Sequence, residues 1–175
     1  MESYLLSNGL QTADFISSPE IGFLKSIRAQ IAKDKGSRTL LFLVFQDKNA
    51  TEPTTNQTYD AIISNLLAIK TFVNGIVVPK EYIWPVNAAG YIESSTTLVT
   101  DAHKQGLQVF VNGFANDYNR VYNYSYDPSA EYLQFVDNSQ FSVDGIITDF
   151  PPTASQVVCK WSLPVYIYLL VSSTH

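Results

Sequence analysis

One cysteine and two histidines in 175 residues remove much catalytic chemistry at once. With Cys159 alone, neither an internal disulfide nor a thiolate zinc site can form. His103 sits in DAHKQG, where an imidazole beside the last carbonyls of a helix is ordinary, and His175 is the final residue. No phosphate-cradling glycine loop, nucleophile elbow or histidine metal motif is present. Charge is also scarce: 15% of residues, 11 basic against 16 acidic, with no basic stretch longer than two neighbours. A net charge of −5 and a pI near 4.8 argue against a nucleic-acid partner. No apolar run approaches the roughly 18 residues of a membrane helix. The longest, Leu163 to Val171, includes Pro164 and reads as a final strand or a tail, so no transmembrane segment is expected. The opening MESYLLSNGL lacks the basic and apolar regions of a secretory signal peptide.

What the chain does have is 46% apolar residues, enough for one domain with a real core, and a rhythm of glycines. Gly9, Gly36, Gly75, Gly106 and Gly145 each stand just ahead of a short apolar run, at intervals of 27, 39, 31 and 39 residues. Each interval suits a strand, a loop and a helix. Glycine is the usual residue just past a helix end, so the repeat predicts an α/β array with a parallel sheet. The strands read as Phe15–Ser17, Leu40–Phe45, Ile76–Val78, Val109–Val111 and Val143–Phe150, the last ended by Pro151-Pro152. Between them, helices are expected to open at Ser18-Pro19-Glu20, to run from Tyr59 to Val73, to span about Ala88 to Gln105, and to cover Pro128 to Phe135 behind an Asp127 cap.

The connections after strands are long, Gln46–Gln57 and Ala115–Asp127, while those before strands are short. In α/β proteins the loops at the carboxyl ends of the strands build the ligand site. That reasoning selects Gln46, Pro79-Lys80-Glu81, Asn112-Gly113-Phe114 and Asp149 as a location without a chemistry. Lys80 and Glu81 could meet an anion or a metal, or form a solvated surface pair; Asp149 could act at the site or cap a loop. Three N-glycosylation sequons, at Asn49, Asn56 and Asn123, all fall in the two long loops, although chance alone supplies about two in such a composition.

The segment NYSYDPSAEYLQFVDNSQFSVDGIITDFPPTAS, residues 123–155, resembles the plant glycerophosphodiester phosphodiesterase-like proteins. VDGIITDFP is similar to the last barrel strand of that family, and LVTDAHKQGLQVFV to the helix and strand before it. FISSPEIGFLKSI, TEPTTNQTY and IKTFVNGIVVPKEYIWPV extend the resemblance over roughly residues 10 to 158. It implies a TIM barrel of which this chain holds the C-terminal part, about strands 4 to 8, with residues 1–158 as a partial domain and 159–175 as a divergent tail. It also implies hydrolysis of glycerophosphodiesters to glycerol 3-phosphate and an alcohol, calcium or magnesium as cofactor, and a parent protein secreted to the outer plasma membrane or wall. The family's catalytic histidines and metal carboxylates belong to strands that precede those present here. No catalytic residue and no metal ligand therefore transfers to a numbered position, and the chain alone is expected to be inactive.

Two departures stand out. VNGFAN replaces the family's aromatic end to strand seven, and KWSLPVYIYLLVSSTH matches nothing in it. A partial barrel should leave its first and last strands without neighbours, which predicts self-association through the edges. Two other readings follow from the residues: a non-catalytic cell-wall, carbohydrate- or protein-binding module using the long loops, and an open flavodoxin-like sheet with a ligand at its switch point.

Overall fold

In the computed structural model, residues 14–33, 38–114, 124, 127–161 and 166–169 are described. They divide into two units, Met1–Val77 with Gln105–Leu107, and Val78–Lys104 with Gln108–His175.

In the first unit β1 (Phe15–Ser18) pairs in parallel with β2 (Leu40–Val44), and β2 in parallel with the start of β3 (Gly75–Pro79). Leu41, Phe42 and Leu43 are successive and all buried, so β2 is covered on both faces, as its unbroken apolar run requires. Helix α1 (Ile21–Ile31) packs on β1 and β2 through Ile21, Leu24 and Ile27, one buried residue per turn. Each such side chain contributes about 1.5–3 kcal/mol by leaving water. The sequential pairing places β2 between β1 and β3, which rules out the flavodoxin-like order, where the first strand lies between the next two.

Two helical expectations need correction here. The stretch from Tyr59 to Val73 is not one helix but two, α2 (Tyr59–Ile63) and α3 (Leu66–Lys70). Asn65 breaks them, because its side-chain oxygen accepts from the Ala68 N–H and starts a new helix. Helix α1 begins after Glu20, which offers no side-chain cap. Ser18 accepts only from the Glu20 N–H, and the cap for α1 comes from Glu52, 31 residues along the chain.

The second unit contains a 3₁₀ turn (Lys80–Tyr82), α4 (Leu98–Lys104), β4 (Gln108–Phe114), α5 (Pro128–Val136), β5 (Gly145–Thr148), α6 (Pro151–Trp161) and β6 (Tyr166–Leu169). β4 pairs in parallel with β5, and β5 with β6. The expected helix from Ala88 shrinks to α4 because Asn87 organises a turn first. Its side chain accepts from the Ala89 and Tyr91 N–H groups, its own N–H reaches the Tyr91 carbonyl, and Val86 bridges Ile92. Asp127 caps α5 as the sequence indicates, accepting from the Ser129 N–H at 2.9 Å.

Of the five rhythmic glycines, Gly9 and Gly36 lie outside the described residues. Gly106 alone of the other three has a positive φ, +70°, and its carbonyl accepts from Lys70 at 2.6 Å. Gly75 and Gly145 instead open strands, and at Gly145 a Cβ would stand 2.9 Å from the Phe110 ring. The last strand is shorter than expected. β5 stops at Thr148, and Pro151-Pro152 form the first turn of α6, where proline's missing N–H costs nothing. Helix α6 crosses residue 159, and β6 lies within residues 159–175, so β5 has a neighbour on each side.

Candidate functional site

The carboxyl ends of β3, β4 and β5 in the second unit bring together Lys80, Phe114, Glu131, Tyr132 and Thr148. Pro79 ends β3 and aims the chain into the 3₁₀ turn that carries Lys80. The Lys80 ammonium donates to Glu131 Oε1 at 2.6 Å and stands 5.9 Å from the centre of the Phe114 ring. Phe114 reaches that place through a bulge. β4 spends three steps, Val111 to Phe114, against two of β5, Ile146 to Thr148. Gly113 within the bulge has φ +93°, a conformation that side chains resist, and a Cβ there would lie 3.8 Å from Lys80 Cγ.

Phe114 stacks on Tyr132 with ring centres 4.7 Å apart and meets Phe135 edge-on at 5.1 Å. The Tyr132 hydroxyl and the Thr148 hydroxyl share a hydrogen bond of 2.8 Å, and Thr148 also accepts from the Phe150 N–H. Helix α5 thus presents Glu131 and Tyr132 side by side, both buried, to the strand ends. Burial pushes the Glu131 carboxyl above its ordinary range, reinforced by the Glu81 charge and opposed by Lys80. Burial likewise raises the Tyr124 phenol, with the Glu131 charge adding to it. For Tyr132 burial outweighs the Thr148 hydrogen bond, which lowers it, while Glu131 and Asp149 push it further up. A buried carboxyl beside one ammonium, walled by aromatic rings, can hold a single positive charge at a fixed point and release it when an anion competes.

The residues selected from sequence fare unequally. Lys80 belongs to the cluster, and Glu81 and Asp149 are exposed at its margin, felt there through their charge. Asn112 is half-buried on β4. Gln46 is exposed and belongs to the first unit. Asn49 and Asn56 are exposed, Asn56 in the left-handed region at φ 54°, while Asn123 lies outside the described residues. Sequence reasoning missed Glu131 and Tyr132. Their signal was present: PSAEYLQF places Glu131, Tyr132 and Phe135 on one helical face, an acidic member in an otherwise apolar stripe.

His103 and Asp144 mark the other end of the strands. His103 Nε2 lies 2.8 Å from Asp144 Oδ2, and the same oxygen accepts from the Val109 N–H. The pair fastens α4 to the entry of β4 and β5, away from the cluster. Calcium and magnesium take several oxygen ligands at once. Among the described residues no three His, Cys, Asp or Glu side chains gather in a way that could hold an ion, so these residues do not fit the divalent ion that the resemblance implies. Nor is any described helix long and apolar enough to cross a membrane.

Comparison with known proteins supplies the context. The chain is 58% identical over 159 residues to glycerophosphodiester phosphodiesterase GDPDL7 of Arabidopsis thaliana, covering 91% of this chain and 21% of that protein. It is 52% identical to GDPDL1 and 50% identical to protein SUPPRESSOR OF NPR1-1 CONSTITUTIVE 4 of the same plant, covering 90% of this chain and 20% and 14% of those proteins. The chain therefore spans about a fifth or less of the relatives it matches. A profile of the glycerophosphoryl diester phosphodiesterase family matches residues 6–153. With that match over most of its length, and with an α/β fold of parallel strands forming part of the family's barrel, the chain belongs to the glycerophosphoryl diester phosphodiesterase family.

Proposed function

We propose that the protein to which this chain corresponds hydrolyses glycerophosphodiesters to glycerol 3-phosphate and an alcohol, and that this chain supplies a substrate wall rather than the reacting groups. The family match over residues 6–153 is the observation that carries the reading. The site chemistry agrees with it. Lys80 offers one ammonium, a suitable point charge for a phosphodiester carrying one negative charge. Its partner Glu131 has a raised pKa, so protonation of that carboxyl would free the ammonium for the phosphate. Asn112 and Asp149 occupy the carboxyl ends of the neighbouring strands. The divalent ion of the family would be held by residues beyond these, and no step is assigned through it.

The test is release of glycerol 3-phosphate from glycerophosphocholine by the purified chain, with calcium or magnesium and with EDTA. No release in either condition is expected. Metal-dependent release would overturn the wall reading and place a complete site within this chain.

A secreted parent protein belongs to the same proposal, supported by the exposure of Asn49 and Asn56. Expression of the whole parent protein in plant cells should give a product whose mobility shifts after N-glycan removal, and no shift would count against secretion. A non-catalytic wall-binding module is favoured by one observation, the rigid anchoring of the Gln46–Thr58 loop by Glu52. It would show as carbohydrate binding that persists in EDTA. Self-association is a further part of the proposal: among the described residues β1 pairs with β2 alone and β6 with β5 alone, and a dimer in sedimentation would support pairing at those edges.

A further inference from the structure

The family match ends at residue 153, just past β5. In a closed parallel barrel the last strand pairs with the strand before it and, on its other side, with the first strand of the domain. β5 has β4 on one side. The other side is taken by β6, in parallel and in unbroken register from Gly145↔Tyr166 to Thr148↔Leu169. Every residue of β5 is matched. We propose that Tyr166–Leu169 is a surrogate closing strand, which occupies from within the chain the edge of β5 where the first strand of a family barrel would pair. This rests on reading β5 as the last barrel strand, and it goes beyond the family assignment because β6 lies outside the matched residues.

The local physics supports it. An edge strand leaves alternate N–H and C=O groups unpaired and open to any extended chain. β5 carries Gly145 and Ile146 buried, so an open edge beside them would expose apolar surface as well as peptide groups. Helix α6 lies against β5 and β6, making β5–α6–β6 the same strand–helix–strand unit that builds the rest of the array. That unit delivers a parallel strand to the neighbouring position whatever its family origin, provided the sequence can run extended. The partner excluded by this arrangement is the N-terminal half of a family barrel: with its edge filled, the chain does not complement that half in trans.

Backbone hydrogen exchange on the intact chain tests the inference. A strand with two neighbours protects successive amides, whereas an edge strand protects alternate ones. Slow exchange at Ile146, Ile147 and Thr148 together is expected; fast exchange at alternate residues of β5 overturns the proposal. Successive N–H groups of β6 point to opposite sides, so of the variants Ile167→Pro and Tyr168→Pro one removes a bond to β5 and the other faces away. The first should make alternate β5 amides exchange roughly tenfold faster, and the second should leave them unchanged. Two silent variants overturn the proposal. A fluorescent peptide carrying the first barrel strand of GDPDL7 should bind the deprotected variant and not the intact chain. Equal binding to both would also overturn it. Failure of the phosphodiesterase reading, by contrast, would appear in the glycerophosphocholine assay and leave these exchange patterns untouched.

Discussion

Among the described residues two glutamates are buried, and their surroundings drive them in opposite directions. Glu52, in the loop after β2, accepts from the Ile21 N–H at 2.9 Å and from the Thr54 hydroxyl, the Thr55 hydroxyl and the Thr55 N–H at 2.6 Å each. Burial alone would raise its pKa, but these four donors outweigh it and bring the carboxyl from an ordinary 4.5 down to about 2. Glu131 is as inaccessible, yet among the described residues its ionic partner is Lys80 alone, and burial wins. The lesson is that burial does not fix the charge state of a carboxyl; the number of donors facing it does. Glu52 is a fully satisfied structural cap that ties a long loop to the start of α1. Glu131 has its pKa raised by burial against the pull of Lys80, and a carboxyl shifted in that way is the kind of group found where ligands are met.

The comparison breaks first at Glu52. Glu52→Ala strands two backbone N–H groups and two threonine hydroxyls, and should cost about 3 kcal/mol in urea unfolding at neutral pH. A loss below about 1 kcal/mol would mean that water replaces the carboxylate and that the cap is incidental.

Acid titration of the wild type comes next. A carboxyl with a depressed folded pKa stabilises fully above its unfolded value, and that stabilisation is lost as pH falls through the folded value. For Glu52 the window runs from 4.5 down to about 2, and the stake is about 3 kcal/mol. Glu131 has the opposite sign: its raised pKa favours the protonated fold, and that contribution fades as pH rises through the folded value. Stability in Glu52→Gln should therefore depend less steeply on pH between 4.5 and 2 than in the wild type. Parallel curves would refute the assignment.

At the site itself Gly113→Ala should cost about 1–2 kcal/mol, because a φ of +93° is strained for any side chain. Since a Cβ there only touches Lys80 Cγ at van der Waals distance, the loss should appear in stability while the Lys80–Glu131 pair survives. The sharpest effect on the comparison belongs to Lys80→Met. Removing the ammonium leaves Glu131 with burial unopposed, so its midpoint in a carboxyl-resolved NMR titration should move further up while that of Glu52 stays in place. A downward move at Glu131 would show that Lys80 is not its controlling partner.

Much of this was legible in the residues. The apolar runs at Leu40–Phe45 and Ile76–Val78 became β2 and β3 because a strand buried on both faces needs an unbroken apolar stretch. Asp127 and Pro128 start α5 by purely local chemistry. Less legible were the long helices, since Asn65 and Asn87 each use a side chain to open a new local turn. At the site, Lys80 could be named from its place after a strand; the acidic member in the apolar stripe of α5 marked Glu131 as unusual, but not its pairing with Lys80, which lies 51 residues away.

The sequence by itself determined the parallel α/β class and the family, because periodicity, glycine placement and motifs are properties of neighbouring residues. Only the tertiary structure decided that Glu52 caps α1, that a bulge at Gly113 turns Phe114 onto Tyr132, and that Tyr166–Leu169 covers the edge of β5. Those outcomes depend on which distant donors and strands reach a given group in the folded chain, and no local pattern encodes that choice.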